Sequence, residues 1–341
     1  MTNDGAQGHT GCAARALAEA DFTKIAERFS GAGFSVKIHG QGLLQIFSSV
    51  HFPQRSAVLV SVGMHGDETG PIEMLAQLLE QLAQTPQALA CDLMVVVGNI
   101  AAITQGKRFI DADLNRMFQA NRGDLQTAQE SARADVILRS TADFFAGENQ
   151  ERWHLDLHTA IRPSVYPTFA IVPELIADKK KTALLDWLDE AGIGAIIMNP
   201  KSAGTYSYCT AEKFGAAGAT VELGRIGVLG RNDASVLAES KAALNRLLRG
   251  EQAVRGMAVK SRPHIFHLAQ EIIKLSADFK MAFGSATQNF TRMEAGAVIA
   301  TDGDVVYRVR HAEEFVVFPN PEVRVGQRAG LMVVRKEWGC S

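Results

Sequence analysis

The apolar run from Ala57 to Val62 leads into Gly63-Met64-His65-Gly66-Asp67-Glu68-Thr69-Gly70, and an amphipathic stretch from Pro71 to Leu82 follows. An apolar hexamer, a glycine-rich turn and a 3.6-residue period predict strand, tight turn and helix. Asp92 to Val97 reads as a second buried strand closing at Gly98-Asn99. Further strands are predicted at Trp153 to His158, Ala170 to Val172, Ala195 to Met198 and Ala219 to Leu223. Phe34 to His39 and Leu43 to Phe47 alternate as two short strands about Gly40-Gln41-Gly42. Helices are predicted over Ala16 to Phe29, Asp124 to Phe145, Lys181 to Ala191 and Asp233 to Leu248, the last ended by Gly250. The first ~15 residues, small and polar, are expected to be disordered.

Strands alternating with helices up to residue ~250 predict an α/β layered fold. From Val254 to Val334 the grammar changes to short alternating runs with turn signals such as Asp302-Gly303-Asp304 and Pro319-Asn320-Pro321. That predicts a smaller all-β domain, so the expected division is 1–253 and 254–341.

Composition narrows the class. The 341 residues are 47% hydrophobic and 21% charged, as in an ordinary soluble protein with a well-buried core. The net charge is −2 and there is no lysine-arginine block, which argues against nucleic acid or a membrane as partner. Cys12, Cys91, Cys209 and Cys340 lack C-x-x-C spacing, so neither a disulfide framework nor a cysteine-rich zinc site is expected. No secretory leader is visible at Met1 to Ala13 and no apolar run reaches ~18 residues, so the cytoplasm is the expected location.

Candidate chemistry gathers at predicted strand ends. His65 and Glu68, three residues apart where a buried strand exits, suit two positions of a zinc ion that needs a third ligand and a water. His-x-x-Glu alone is common by chance. His158 ends another strand and offers the third ligand, although a strand histidine is often only structural. His154 and Asp156 share its face by the period of two; Asp156 is read as orienting an imidazole or an arginine, and His154 as structural. Glu222, in Thr220-Val221-Glu222-Leu223-Gly224, reads either as a solvated strand end or as a general base raised by desolvation. Arg108, Asn115 and Arg116 look like an anion-binding loop, which Arg162 can join. Gly224-x-x-Gly227-x-x-Gly230 lacks dinucleotide spacing, Gly-x-Ser-x-Gly is absent, and Cys209 has no evident base partner.

Gly63-Met64-His65-Gly66-Asp67-Glu68-Thr69, Asp113-Leu114-Asn115-Arg116, Asp156-Leu157-His158-Thr159 and Val221-Glu222-Leu223-Gly224 occur in that order. With Phe318-Pro319-Asn320-Pro321 and Arg328-Ala329-Gly330-Leu331-Met332 they resemble the succinylglutamate desuccinylase/aspartoacylase family of the zinc carboxypeptidase-like fold. That resemblance implies a mixed sheet flanked by helices and one Zn2+ per subunit on His65, Glu68 and His158. It further implies Glu222 as catalytic glutamate, Arg108 as oxyanion-stabilising arginine and Asn115-Arg116 as a substrate-carboxylate pair. The implied reaction is hydrolysis of N-succinyl-L-glutamate to succinate and L-glutamate, the last step of the succinyl route of arginine breakdown. A related amidase acting on another N-acyl amino acid, such as N-acetylaspartate, or on a small peptide would keep the same catalytic residues. Phe109 departs from the tyrosine that relatives often carry there. The C-terminal β region is expected to border the active site, with Tyr307 a candidate contact, and homo-oligomerisation is left open.

Overall fold

The computed structural model describes residues 4–47, 55–147, 151–251, 262–284 and 286–337, with side chains from residue 11 onward. The expected boundary at 253/254 and Cys340 lie outside the described residues.

The apolar runs assemble into one mixed sheet. Its strands are β1 (Ser35–Ile38), β2 (Leu43–Phe47), β3 (Ala57–Val62), β4 (Asp92–Val97), β5 (Arg152–Ala160), β6 (Thr168–Pro173), β7 (Ala195–Asn199) and β8 (Ala217–Arg225). The C-terminal region adds β9 (His264–Ile273), then β10 (Lys280–Met281), β11 (Thr291–Glu294), β12 (Val298–Asp302), β13 (Val305–Arg308), β14 (Glu313–Val317) and β15 (Arg328–Lys336). The spatial order is β1-β2-β4-β3-β5-β8-β6-β7-β9-β15-β14-β11, with β10-β12-β13 forming a separate three-stranded sheet. At the centre, β4, β3, β5 and β8 run parallel, and β6 is antiparallel to β8. The chain leaves β3 for β4 on one side and later returns to β5 on the other. The carboxyl end of β3 is therefore the switch point where open α/β sheets form a crevice.

Period-two alternation divides the core between the two faces. Val58, Val60 and Val62 of β3 and Trp153, Leu155 and Leu157 of β5 belong to one buried cluster. That cluster also takes in residues from α1 (Asp4–Ala18), α2 (Thr23–Gly31), α3 (Thr69–Gln84), α6 (Asp178–Glu190) and α8 (Ala238–Arg249). Ala57 and Leu59 face the opposite cluster with residues of α5 (Gln129–Phe144) and α7 (Tyr206–Phe214). α4 (Ile100–Gln105) completes the α-helices among the described residues.

Several predicted elements are redrawn. The amino-terminal stretch expected to be disordered carries α1, whose Ala14, Leu17 and Ala18 are buried in the first cluster. The predicted helix from Ala16 to Phe29 is split where Ala20 adopts φ 60° and Asp21 caps the N–H of Thr23. The predicted helix from Asp124 begins as a 3-10 turn over Gly123–Thr127, and α5 starts only after an extended Ala128. Asp233 folds a local turn onto Ser235, so α8 starts at Ala238.

The all-β region continues the main sheet: β9 pairs in parallel with β7 and β15 pairs antiparallel with β9. An aromatic cluster seals the junction, joining Phe169, Ala195 and Ile197 to Phe266, Phe290 and Val317. Farther out, Ile272, Phe279, Ile299, Val316 and Met332 make a separate β core.

One close approach governs the loop after β3. The N–H of Gly66 donates to the Arg108 carbonyl at 3.1 Å. A Cβ on Gly66 would lie 2.2 Å from the Ala102 carbonyl carbon, 2.3 Å from the Ile103 nitrogen and 2.5 Å from the Lys107 oxygen, all backbone. Gly66→Ala should therefore cost about 3 kcal/mol in urea unfolding, near the upper end for overpacking. Gly31→Ala, with nothing within 4 Å, should stay within about 0.5 kcal/mol. Equal stabilities for the two variants would contradict this account of the loop.

Candidate active site

β3 ends in a turn that carries His65, and the turn closes at Glu68, the N-cap position of α3. A carboxylate there faces the positive end of the helix dipole. On the far side of Glu68, β5 delivers His158. The Nδ1 atoms of His65 and His158 lie 2.7 Å from Glu68 Oε1 and 2.8 Å from Glu68 Oε2 respectively. All three residues are buried, and one ligand atom from each lies within 4.8 Å of the others.

The distal ring nitrogens explain this orientation. His65 Nε2 is 2.9 Å from Asp113 Oδ1, and His158 Nε2 is 3.0 Å from Asp156 Oδ2. Once a cation takes the Nδ1 atoms, Asp113 and Asp156, which only accept, can each hold an Nε2–H and so fix the tautomer whose Nδ1 lone pair coordinates. In that state two imidazole nitrogens and a carboxylate converge among buried side chains. Such a donor set is satisfied by a divalent cation, and two nitrogens with one carboxylate suit that role. Among the described residues these three form the group able to hold a metal ion.

The supporting carboxylates are themselves held. Ser61 donates to Asp156 Oδ1 at 2.6 Å, and its Oγ is also 2.9 Å from His154 Nε2. Burial holds the His154 pKa down to about 4, so it stays neutral and structural. Asp156 is placed as the sequence reading has it, beside an imidazole. Asp113, named there only within the Asp113-Leu114-Asn115-Arg116 motif, is the partner of His65; its place two residues before Asn115 gave no separate sign. Glu130 was also missed. Its carboxylate accepts from the N–H groups of Ile110, Asp111 and Ala112 and from Asn99 Nδ2, and so fixes the loop between Arg108 and Asp113.

Glu222 stands beside His158 in the β5–β8 register. Burial, followed by the negative charge of Glu68, pushes its pKa up to about 7. Its Oε2 and the hydroxyl of Thr159 are buried without a hydrogen-bond partner among the described residues. A buried acceptor of this kind marks a place where a reacting group can sit.

Arg108 reaches the same spot. Its Nη1 donates to Glu68 Oε1 at 2.8 Å and its Nη2 lies 3.2 Å from His65 Nε2. Asn115 is turned inward: its amide nitrogen is 3.1 Å from Asp156 Oδ2 and its oxygen accepts the Tyr206 N–H at 2.8 Å. Arg116 is the half-exposed member of that pair, donating to the Asn115 carbonyl at 2.7 Å. Arg162 donates to the Gly284 carbonyl at 3.3 Å, tying the loop after β5 to the C-terminal region. Tyr307 lies in the three-stranded sheet with its hydroxyl on the Ile273 carbonyl at 2.9 Å.

With this geometry in view, two family descriptions match the chain. The Succinylglutamate desuccinylase/Aspartoacylase catalytic domain matches residues 54–248, and the AstE/AspA barrel-sandwich hybrid domain matches 261–336. A succinylglutamate desuccinylase of Burkholderia orbicola (strain MC0-3) is 40% identical over 298 residues, covering 86% of each chain. The crystal structure of succinylglutamate desuccinylase from Vibrio cholerae superposes with a TM-score of 0.81 at 30% identity, over 89% of this chain and 88% of that one. The Chromobacterium violaceum enzyme of the same name gives 0.77 at 30%, over 93% and 98%. Murine aminoacylase 3, at 18% identity and a TM-score of 0.54 over 84% of this chain and 97% of that one, shares the fold.

The carboxylate–imidazole pairs make a prediction. Asp113→Asn and Asp156→Asn should each weaken Zn2+ binding by ~10–100-fold in competition with a chelating dye. His65→Ala, Glu68→Ala and His158→Ala should abolish stoichiometric binding. Wild-type affinity in both asparagine variants would refute the orienting role of the two aspartates.

Proposed function

The chain belongs to the succinylglutamate desuccinylase/aspartoacylase family, and on that footing we propose that it is a zinc-dependent amidohydrolase that cleaves N-succinyl-L-glutamate to succinate and L-glutamate. One observation carries the catalytic part of this reading: a buried carboxylate, Glu222, whose Oε2 has no hydrogen-bond partner among the described residues, stands beside His158 next to the His65, Glu68 and His158 cluster.

Zinc held by His65, Glu68 and His158 would supply Lewis acidity toward the water and the amide carbonyl. Every other part falls to the chain. Glu222 takes the proton from the attacking water and delivers it to the amide nitrogen, because an amine leaves only once protonated. Its pKa near 7 suits both halves of that transfer. Arg108, in contact with Glu68 at 2.8 Å, lies beside the reacting amide and stabilises charge on the carbonyl oxygen. Arg116, with Asn115 bracing it through its carbonyl and Asp156 through its amide, receives a substrate carboxylate. Arg162, at the rim, adds positive charge for a substrate with three carboxylates. The substrate is a small molecule, and no described helix is long and apolar enough to cross a membrane.

Two outcomes test this. Glu222→Gln keeps shape and hydrogen bonding but removes the base, so kcat should fall by ~10²–10⁴-fold with zinc content and KM little changed. Near-normal kcat would remove Glu222 from the reaction. A strong chelator should abolish succinate release, and added Zn2+ should restore it. Turnover that survives complete metal removal would refute the zinc-dependent reading.

A further inference from the structure

The loop that leaves β8, a few residues beyond Glu222, carries Gly227 and Gly230. It folds back onto the first turns of α3, the helix that begins immediately after Glu68. Thr69 Oγ1 donates to the Gly227 carbonyl at 3.1 Å and accepts from Asn232 Nδ2 at 2.9 Å. Asn232 Nδ2 also lies 2.5 Å from Glu73 Oε1 and 3.2 Å from the Val228 carbonyl. The N–H of Gly230 donates to the same Glu73 oxygen. Thr69 and Glu73, one turn apart on α3, are both buried and find these partners in the loop.

The glycines are required by this packing. A Cβ on Gly227 would stand 2.2 Å from Asn232 Oδ1, and Gly230 adopts φ 85° where its N–H meets Glu73. Apolar burial does little to hold the loop: Ile226 and Val228 are exposed, and Leu229 is only partly buried. The polar latch supplies the attachment instead.

The two elements joined in this way carry two acids of the site. β8 presents Glu222 beside His158, whose Nδ1 is 2.8 Å from Glu68 Oε2. β3, which leads into α3, is separated from β8 by β5. The β5–β8 ladder also becomes irregular just after Glu222, its register shifting between His158 and Ala160. Strand pairing alone therefore leaves the end of β8 loosely tied to the start of α3, and the latch closes that gap.

We propose that Thr69, Glu73 and Asn232 form a positioning latch that fixes Glu222 relative to Glu68, and so sets the reach of the base to the water and the leaving amine. The inference rests on the proposed function and deepens the part Glu222 plays in it. All three residues act through Glu222 rather than on the substrate. The latch also gives a use to the Gly224-x-x-Gly227-x-x-Gly230 run, which fits no dinucleotide fingerprint.

The test uses the full-length, zinc-loaded chain. Asn232→Ala should lower kcat on N-succinylglutamate by ~10- to 100-fold, the scale of a misplacement of about 1 Å, with KM and zinc content little changed. In a Glu222→Gln background the same substitution should change kcat by less than about twofold, because residues acting as a unit are not additive. Glu73→Ala should reproduce the loss, and it carries the test if Asn232→Ala does not fold. Glu73→Gln still offers an acceptor oxygen and should recover most of the loss. Hydrogen exchange gives a readout apart from turnover: the amides of 223–232 should exchange faster in Asn232→Ala. Wild-type kcat in Asn232→Ala, an equal loss in the Glu222→Gln background, or unchanged exchange would overturn the latch. A wild-type chain inactive on N-succinylglutamate would instead refute the proposed function, and the exchange measurement would still decide whether the latch holds the loop.

Discussion

Glu68 lies between the Nδ1 atoms of His65 and His158, while Asp113 and Asp156 engage the Nε2 atom on the opposite side of each ring. Three electron-rich groups at this spacing repel unless positive charge stands among them. Burial sharpens the conflict, since little water is present to solvate the donors. The same convergence fixes the neighbours. Arg108 is drawn onto Glu68, and burial together with the Glu68 charge pushes the Glu222 pKa up to about 7.

The fold supplies this arrangement at modest cost. β3 is the switch strand, so its exit already lies in a crevice, and the N-terminus of α3 presents Glu68 to it. β5 contributes apolar residues to one face and His154, Asp156 and His158 to the other. On that second face the polar residues are paired rather than solvated: Ser61 bonds Asp156, Thr210 bonds His154, and Ser207 bonds Thr220. α7 covers this layer and through Tyr206 holds Asn115 in place. The C-terminal region closes the remaining side through the bridge from Ser164 to Asn289 and the Asp111 contact of Arg324.

Legibility tracked the range of the interactions involved. The β3–turn–α3 unit and the face shared by His154, Asp156 and His158 could be read directly, because apolar runs, glycines and a period of two are local signals. α7 was not foreseen: Tyr206 to Ala211 are all buried and mostly polar, so no amphipathic period marks them. The breaks at Ala20 and Ala128 came from single-residue backbone changes that propensity does not see. Asp113 could not be singled out from Asp111, since only the fold shows which of them meets a histidine 48 residues away. The parallel pairing of β7 with β9 was hidden for the same reason, so the hydrogen-bonded continuity of the C-terminal β region with the main sheet could not be read.

The central claim is that His65, His158 and Glu68 hold one metal ion through two imidazole nitrogens and a carboxylate. X-ray absorption at the zinc edge of the protein loaded with one equivalent tests it most directly. The account predicts two imidazole nitrogens and further oxygen ligands near ~2.0–2.1 Å, with no sulfur, a pattern lost in His158→Ala. A sulfur shell near ~2.3 Å, or a spectrum unchanged by His158→Ala, would contradict it.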